Sequence, residues 1–235
     1  MEKKLIGYLF LLSFVFVNTA DAQFKDLKKL NPLGGGDKQE SQESAVDIDT
    51  AQANLIAAVS DALVDVLTAQ AMIAEAQGNG ELAATLKNTS SAITGGDGSS
   101  EDIQGAVTLS EEAREVMDSV VEEKGELDDD AKALYAKALV PYVKAVAKTA
   151  KLSEPISDFM NSAQNSLKSI RNPMEIRKLK STLDTGLFVG KNVPKLIVSL
   201  GKSSVGLITF AKKNGLDTSE VKAAREMGDG DDLEM

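Results

Sequence analysis

Apolar side chains recur at steps of three and four residues along most of this chain, a spacing that lines one face of an α-helix. The longest run covers residues 49–77 and includes Leu55, Val59 and Val66. Comparable runs, bounded by glycine, proline or capping side chains, predict the other helices: residues 81–94, 101–124, 131–151, 154–170, 173–187, 194–214 and a short 219–227. Ser153 is the predicted cap of the helix over 154–170, and Asn172 that of the helix over 173–187. No segment has the alternation typical of a strand. The pattern predicts an all-α fold, a single-domain bundle of about seven amphipathic helices.

Residues 183–210 form the most apolar part of the chain after its N-terminal segment. Four glycines and a proline lie within it, and we expect the helix to break between Gly190 and Pro194. The helix after the break is apolar on nearly all sides, which is typical of a buried helix. Its polar side chains fall on one narrow stripe: Lys195, Ser199, Lys202, Thr209 and Lys213. We therefore expect a buried apolar helix near the C-terminus, with glycines that admit a neighbouring helix or a ligand.

The two ends of the chain differ from the amphipathic region between them. Residues 1–22 have the pattern of a secretory signal peptide: Lys3 and Lys4, an apolar run, and Ala20-Asp21-Ala22 as the cleavage site. An uncleaved membrane anchor is the alternative. Residues 23–45 are polar and rich in glycine, which predicts a flexible linker. Residues 46–227 form the predicted bundle domain, and residues 228–235 a disordered acidic tail. The predicted location is periplasmic or secreted, after cleavage near Ala22.

Composition excludes several kinds of site. The chain contains no cysteine, no histidine and no tryptophan. Catalytic triads that need histidine, cysteine-dependent nucleophiles, ordinary zinc sites and haem ligation by histidine or cysteine are therefore excluded. Carboxylate, lysine, serine or tyrosine chemistry remains, but no spacing of these residues indicates an active site. We expect a protein that is not an enzyme, with no catalytic residues, no cofactor and no metal site.

Charge is unevenly distributed along a chain whose net charge is −10. Residues 23–130 hold 7 basic and 23 acidic side chains, whereas residues 131–235 hold 17 basic and 11 acidic ones. Opposite net charges favour docking of the two halves on each other. The overall negative charge disfavours nucleic acid as a partner, because phosphate would repel it.

Two sets of residues are candidates for binding. The first set is apolar, belongs to the last three long predicted helices, and is expected to line a ligand pocket: Phe159, Leu187, Phe188, Leu196, Leu200 and Phe210. The second set forms a basic stripe on the predicted helix 131–151: Lys137, Lys144, Lys148 and Lys151. A basic cluster at the turn between the next two predicted helices adds to it: Arg171, Arg177, Lys178 and Lys180. Such a stripe fits anionic headgroups or an acidic partner. It also fits a face that is solvated, or one docked on the acidic half of the chain.

These features favour an exported helical-bundle binding protein that holds or carries an apolar ligand such as a lipid. The alternative is a non-catalytic structural or protein-interaction module of the cell envelope. The expected partners are accordingly a lipid or other apolar ligand, an envelope protein or an anionic membrane surface. A cavity among the apolar side chains would separate the two hypotheses, because small-ligand sites are concave and largely apolar.

Overall fold

The computed structural model describes residues 48–94, 98–123 and 126–226. This described part is almost entirely helical and contains no strand, which confirms the all-α bundle. The predicted signal peptide, the predicted linker and the predicted acidic tail lie outside the described residues.

Eight helices make up the described part of the chain. In order, they are α1 Ile48–Ala76, α2 Gly80–Ala92, α3 Ser100–Glu123, α4 Asp129–Ala150, α5 Ser153–Ser169, α6 Pro173–Thr182, α7 Asp184–Lys213 and α8 Ser219–Glu226. The first four begin and end within about two residues of their predicted limits. The differences are concentrated in α6 and α7.

Side-chain caps explain why several helices begin where they do. The Asp128 carboxylate accepts a hydrogen bond from the backbone N–H of Ala131 at 2.8 Å, at the start of α4. Asn172 accepts one from the N–H of Met174 at 3.0 Å, which confirms the predicted cap of α6. Ser153 was expected to cap α5, and this prediction was wrong. Ser153 is the first helical residue, and its hydroxyl donates back to the Ala150 carbonyl at 3.0 Å.

Helix α1 lies at the centre of the bundle and packs against α2, α3, α4, α5 and α7. Two glutamines fix its position along α3. Gln70 Nε2 donates to the Ser110 carbonyl at 2.8 Å, and Gln77 Nε2 donates to the Met117 carbonyl at 3.2 Å. The donors are seven residues apart and so are the acceptors, so the two bonds lie two helical turns apart. They set the register of α1 against α3.

The predicted break between Gly190 and Pro194 is wrong. The chain turns instead at Leu183, a fully buried residue, and α7 then runs without interruption through both Gly190 and Pro194. The sequence pattern predicts that a helix ends near Gly190. In the structure it is a packing glycine, because a Cβ at this position would collide with the Met160 side chain of α5.

Helix α7 buries one face rather than its whole circumference. Its inward side chains join the core, but Val198 and Val205 are 56% and 53% exposed. The physical reason is its position: α1 occupies the centre, and α7 packs mainly against α3 and α4 on one side of the bundle. Among the described residues, α1 and α7 are both long and apolar enough to cross a membrane by length and composition. That property alone places neither helix in a bilayer, since core helices share it.

The four glycines of α7 fall into two pairs. A Cβ at Gly186 would collide with the Phe159 ring, and one at Gly190 with Met160, so this pair lets α5 approach the α7 backbone. A Cβ at Gly201 or Gly206 would meet no atom within 4 Å. Glycine in a helix interior costs roughly 1 kcal/mol relative to alanine. For the second pair, no packing among the described residues offsets that cost.

We expect Gly186→Ala and Gly190→Ala to lower the free energy of unfolding by about 1–3 kcal/mol each, because an added methyl group overpacks the contact between α5 and α7. Gly201→Ala is the matched control on the same helix and should raise the free energy of unfolding by up to about 1 kcal/mol. Urea unfolding followed by circular dichroism measures all three. Equal effects at the three positions would contradict this packing.

Candidate functional site

The six apolar residues predicted to line a ligand pocket lie in or against the core. Phe159, Leu196, Leu200 and Phe210 are buried, and Leu187 and Phe188 are partly buried against the same core. The Phe210 ring packs against the Tyr135 ring with a centroid distance of 5.5 Å. The structure therefore brings these side chains together with the bundle core. Only Phe210 among them also lines the groove described below.

The predicted basic stripe of α4 is divided by the structure. Lys148 Nζ lies 2.7 Å from Asp61 Oδ2 and 2.6 Å from Asp65 Oδ2, both on α1. Burial alone would lower the pKa of Lys148, but the hydrogen bonds to Asp61 and Asp65 outweigh burial and raise it. Lys148 thus joins the basic half of the chain to the acidic half. The other three lysines, Lys137, Lys144 and Lys151, are exposed.

A second basic surface lies on α6 and the outward side of α7. Helix α6 buries none of its residues, and Met174 on it is 79% exposed. We call this surface the basic face and define it by these side chains: Met174, Arg177, Lys178, Lys191, Pro194, Lys195, Val198, Lys202 and Val205. All nine are exposed. The basic face combines positive charge with exposed apolar side chains.

The charge of this region opposes that of the whole chain. Residues 171–213 contain nine basic and two acidic side chains, a net charge of +7 in a chain of net charge −10. Within the described part of the chain, no carboxylate forms an ion pair with any of the five cations of the basic face. Arg114 and Lys148, by contrast, are each held by two or more carboxylates. The positive charge of the basic face is therefore not neutralised by the described residues.

A groove of about 590 Å³ runs between α3 and α7, next to the basic face. Asp118 on α3 lines this groove. Its carboxylate accepts hydrogen bonds from Ser203 Oγ on α7 at 2.6 Å and from Arg114 Nη1 on α3 at 2.7 Å. Burial would lower the pKa of Arg114, but hydrogen bonds to Glu111 and Asp118 raise it overall. The Ser203–Asp118 hydrogen bond joins the two helices on either side of the groove, and the Arg114 contacts hold Asp118 in place within α3.

Two tyrosines of α4 are buried against α7. The Tyr135 hydroxyl donates to the Leu207 carbonyl at 3.3 Å. Burial raises the pKa of Tyr135 well above its ordinary value. Burial also raises the pKa of Tyr142, and the nearby Ser203 hydroxyl offsets only part of that increase. Both hydroxyls therefore stay protonated in the folded protein, and both serve packing.

The sequence analysis found the components of the basic face but not the face itself. The stripe with Lys195 and Lys202 was assigned to a buried helix, and anionic contact was assigned to α4 and to the basic cluster that includes Arg177 and Lys178. The charge of residues 171–213, counted as one segment, is the signal that distinguishes this region. Among the described residues, no three metal-binding side chains cluster.

Comparisons with models of protein families, with curated proteins and with solved structures found no match to this chain.

The buried tyrosines predict how the protein unfolds at high pH. Their folded pKa values lie above the ordinary 10.0, so the stability they contribute is present below pH 10.0 and is lost as the pH rises above it. In a Tyr8→Phe variant, which leaves only Tyr135 and Tyr142, tyrosinate absorbance should appear together with the loss of helical circular dichroism. Ionisation with a midpoint near pH 10 and unchanged helicity would contradict the burial of both rings.

Proposed function

We propose that this chain is an exported, non-catalytic binding module that attaches to an anionic membrane surface through its basic face. The observation that supports the proposal is the set of five cations without carboxylate partners among the described residues. Three of them, on α7, lie on the same side of that helix as exposed Val198 and Val205. A charged, hydrated surface does not require exposed valines, and an apolar contact does not require lysines. An anionic bilayer interface accommodates both.

Charge complementarity favours an anionic surface as the occupant of this face. A basic side chain near an anionic membrane contributes about 1 kcal/mol of binding free energy. The acidic remainder of the chain opposes this attraction only weakly, because the Debye length is about 8 Å at physiological ionic strength. Local charge on the basic face therefore outweighs the net charge of −10.

The geometry of α7 favours a helix that lies along the surface. Lys191, Lys195 and Lys202 lie on one side of α7, and the eleven steps from the first to the last cover about 16 Å of helix at 1.5 Å per residue. The inward side of α7 remains packed in the bundle core. The proposed contact is consequently peripheral, with the exposed valines at the headgroup boundary and the lysines beside them.

The alternative of carriage inside the bundle stays a prediction. Four of its six expected lining residues are buried core side chains, and the groove beside α7 has charged residues in its lining. An acidic envelope protein is a competing occupant of the basic face. The vesicle experiment below separates the two occupants, because the vesicles contain lipid and no other protein.

Export is the part of the proposal that rests on residues 1–22. We expect the protein recovered from its own cells to begin at Gln23 and to fractionate with the envelope or the medium. Intact-mass measurement tests this. A cytosolic protein that retains residues 1–22 would contradict export.

We expect the full chain to co-sediment with vesicles containing phosphatidylglycerol, and to bind pure phosphatidylcholine vesicles much more weakly. Removing three charges with Lys191→Gln, Lys195→Gln and Lys202→Gln should weaken binding by about 3 kcal/mol, or roughly 100-fold. The loss should shrink as salt concentration rises, because salt screens exposed charges.

The control for that experiment removes the same charge from the exposed lysines of α4, by Lys137→Gln, Lys144→Gln and Lys151→Gln. We expect these substitutions to reduce vesicle binding far less than the α7 substitutions do. Equal losses from the two triple variants would show that net charge alone governs binding. Equal binding to anionic and zwitterionic vesicles would also contradict the proposal.

A further inference from the structure

The groove between α3 and α7 has an open glycine among its lining residues. A Cβ built on Gly206 meets no atom within 4 Å, so a larger side chain at this position would extend into free space. Phe210 and Val121 supply apolar surface beside it. At about 590 Å³, the groove falls within the usual range for small-ligand sites, roughly 300–1,000 Å³.

Three charged side chains line the groove without pairing with each other. Lys202 and Lys213 extend from α7, and Glu122 extends from α3. Within the described part of the chain, none of the three forms an ion pair, although opposite charges share one groove. The remaining lining carboxylate, that of Asp118, is already occupied by Ser203 and Arg114. The groove thus offers two ammonium groups and one carboxylate, separated in space.

A ligand that satisfies these groups carries one anionic and one cationic group. A phosphate bears several acceptor oxygens and suits a lysine, whereas a primary ammonium suits a carboxylate. We propose that the groove binds a phosphoethanolamine group, with its phosphate at Lys202 and its ammonium at Glu122. The apolar surface of Phe210 and Val121 would contact the carbon atoms of the ligand.

This inference rests on the proposed function, because the basic face would bring ethanolamine phospholipids to the groove. Lys202 belongs to both the basic face and the groove lining, so the groove opens beside the surface proposed to meet the bilayer. A lipid headgroup and free phosphoethanolamine share the chemistry, and the experiment distinguishes these two sources.

The experiment titrates the full chain with short-chain dihexanoyl phosphatidylethanolamine below its micelle concentration and follows backbone amides by nuclear magnetic resonance. We expect saturable shifts at Ser203 and Gly206. Dihexanoyl phosphatidylglycerol, which lacks the ammonium group, should bind about tenfold more weakly. Glu122→Gln should remove this preference, and Lys202→Gln should weaken binding of both lipids.

Gly206→Leu fills the groove and should weaken binding at least tenfold. Gly201→Leu is the matched control, because Gly201 is equally open on the same helix but does not line the groove. Circular dichroism and urea unfolding check that both variants fold. Equal binding by the two leucine variants, or tighter binding of phosphatidylglycerol than of phosphatidylethanolamine, would overturn the proposal.

Free O-phosphoethanolamine identifies the source of the ligand. Binding as tight as that of the lipid supports the groove and assigns it a soluble ligand, whereas weaker binding supports the groove and assigns it a lipid. No bilayer is present in this titration, so a failure here is separate from a failure of vesicle attachment. Groove binding without vesicle binding would contradict the proposed function alone.

Discussion

The central position of α1, which packs against five other helices, is the constraint on which the rest of the structure depends. Five helices must cover it, and its polar Gln70 and Gln77 are acceptable in the core only because α3 supplies carbonyls at 2.8 and 3.2 Å. A buried polar group without a partner costs about 1–3 kcal/mol, so sliding α3 along α1 would be strongly unfavourable. With α1 in the centre, every later helix is peripheral. That arrangement is why α7, despite its apolar sequence, keeps one side in water.

The charged side chains also differ according to whether they contact the central helix α1 or lie on the outer helices. The acidic half of the chain and the basic half meet where Lys148 contacts Asp61 and Asp65 on α1, and this contact neutralises part of the charge of α4. The five cations of the basic face receive no such neutralisation from the described residues. The fold thereby concentrates uncompensated positive charge on one surface of an acidic protein. Charge segregation of this kind serves recognition more directly than it serves folding.

Local signals predicted much of the fold, and long-range contacts account for what they missed. The starts of α4 and α6 follow from Asp128 and Asn172, whose caps involve residues only two or three positions away. Gly190 looks the same in sequence whether it ends a helix or admits a neighbour. The difference depends on Met160, thirty positions earlier, and on how α5 packs. Similarly, the apolar pattern of α7 does not reveal that α1 already occupies the centre.

The candidate site is where local preference and global fold disagree. Gly201 and Gly206 weaken a helix that gains no internal packing from them, and Val198 and Val205 expose apolar surface to water. Each choice is unfavourable for an isolated bundle, and all four occur within nine residues. Disagreements of this kind are expected at functional sites, where another surface or a ligand supplies the missing contact. Their position beside unneutralised lysines supports the proposal that this contact has both apolar and anionic character, as a phospholipid interface does.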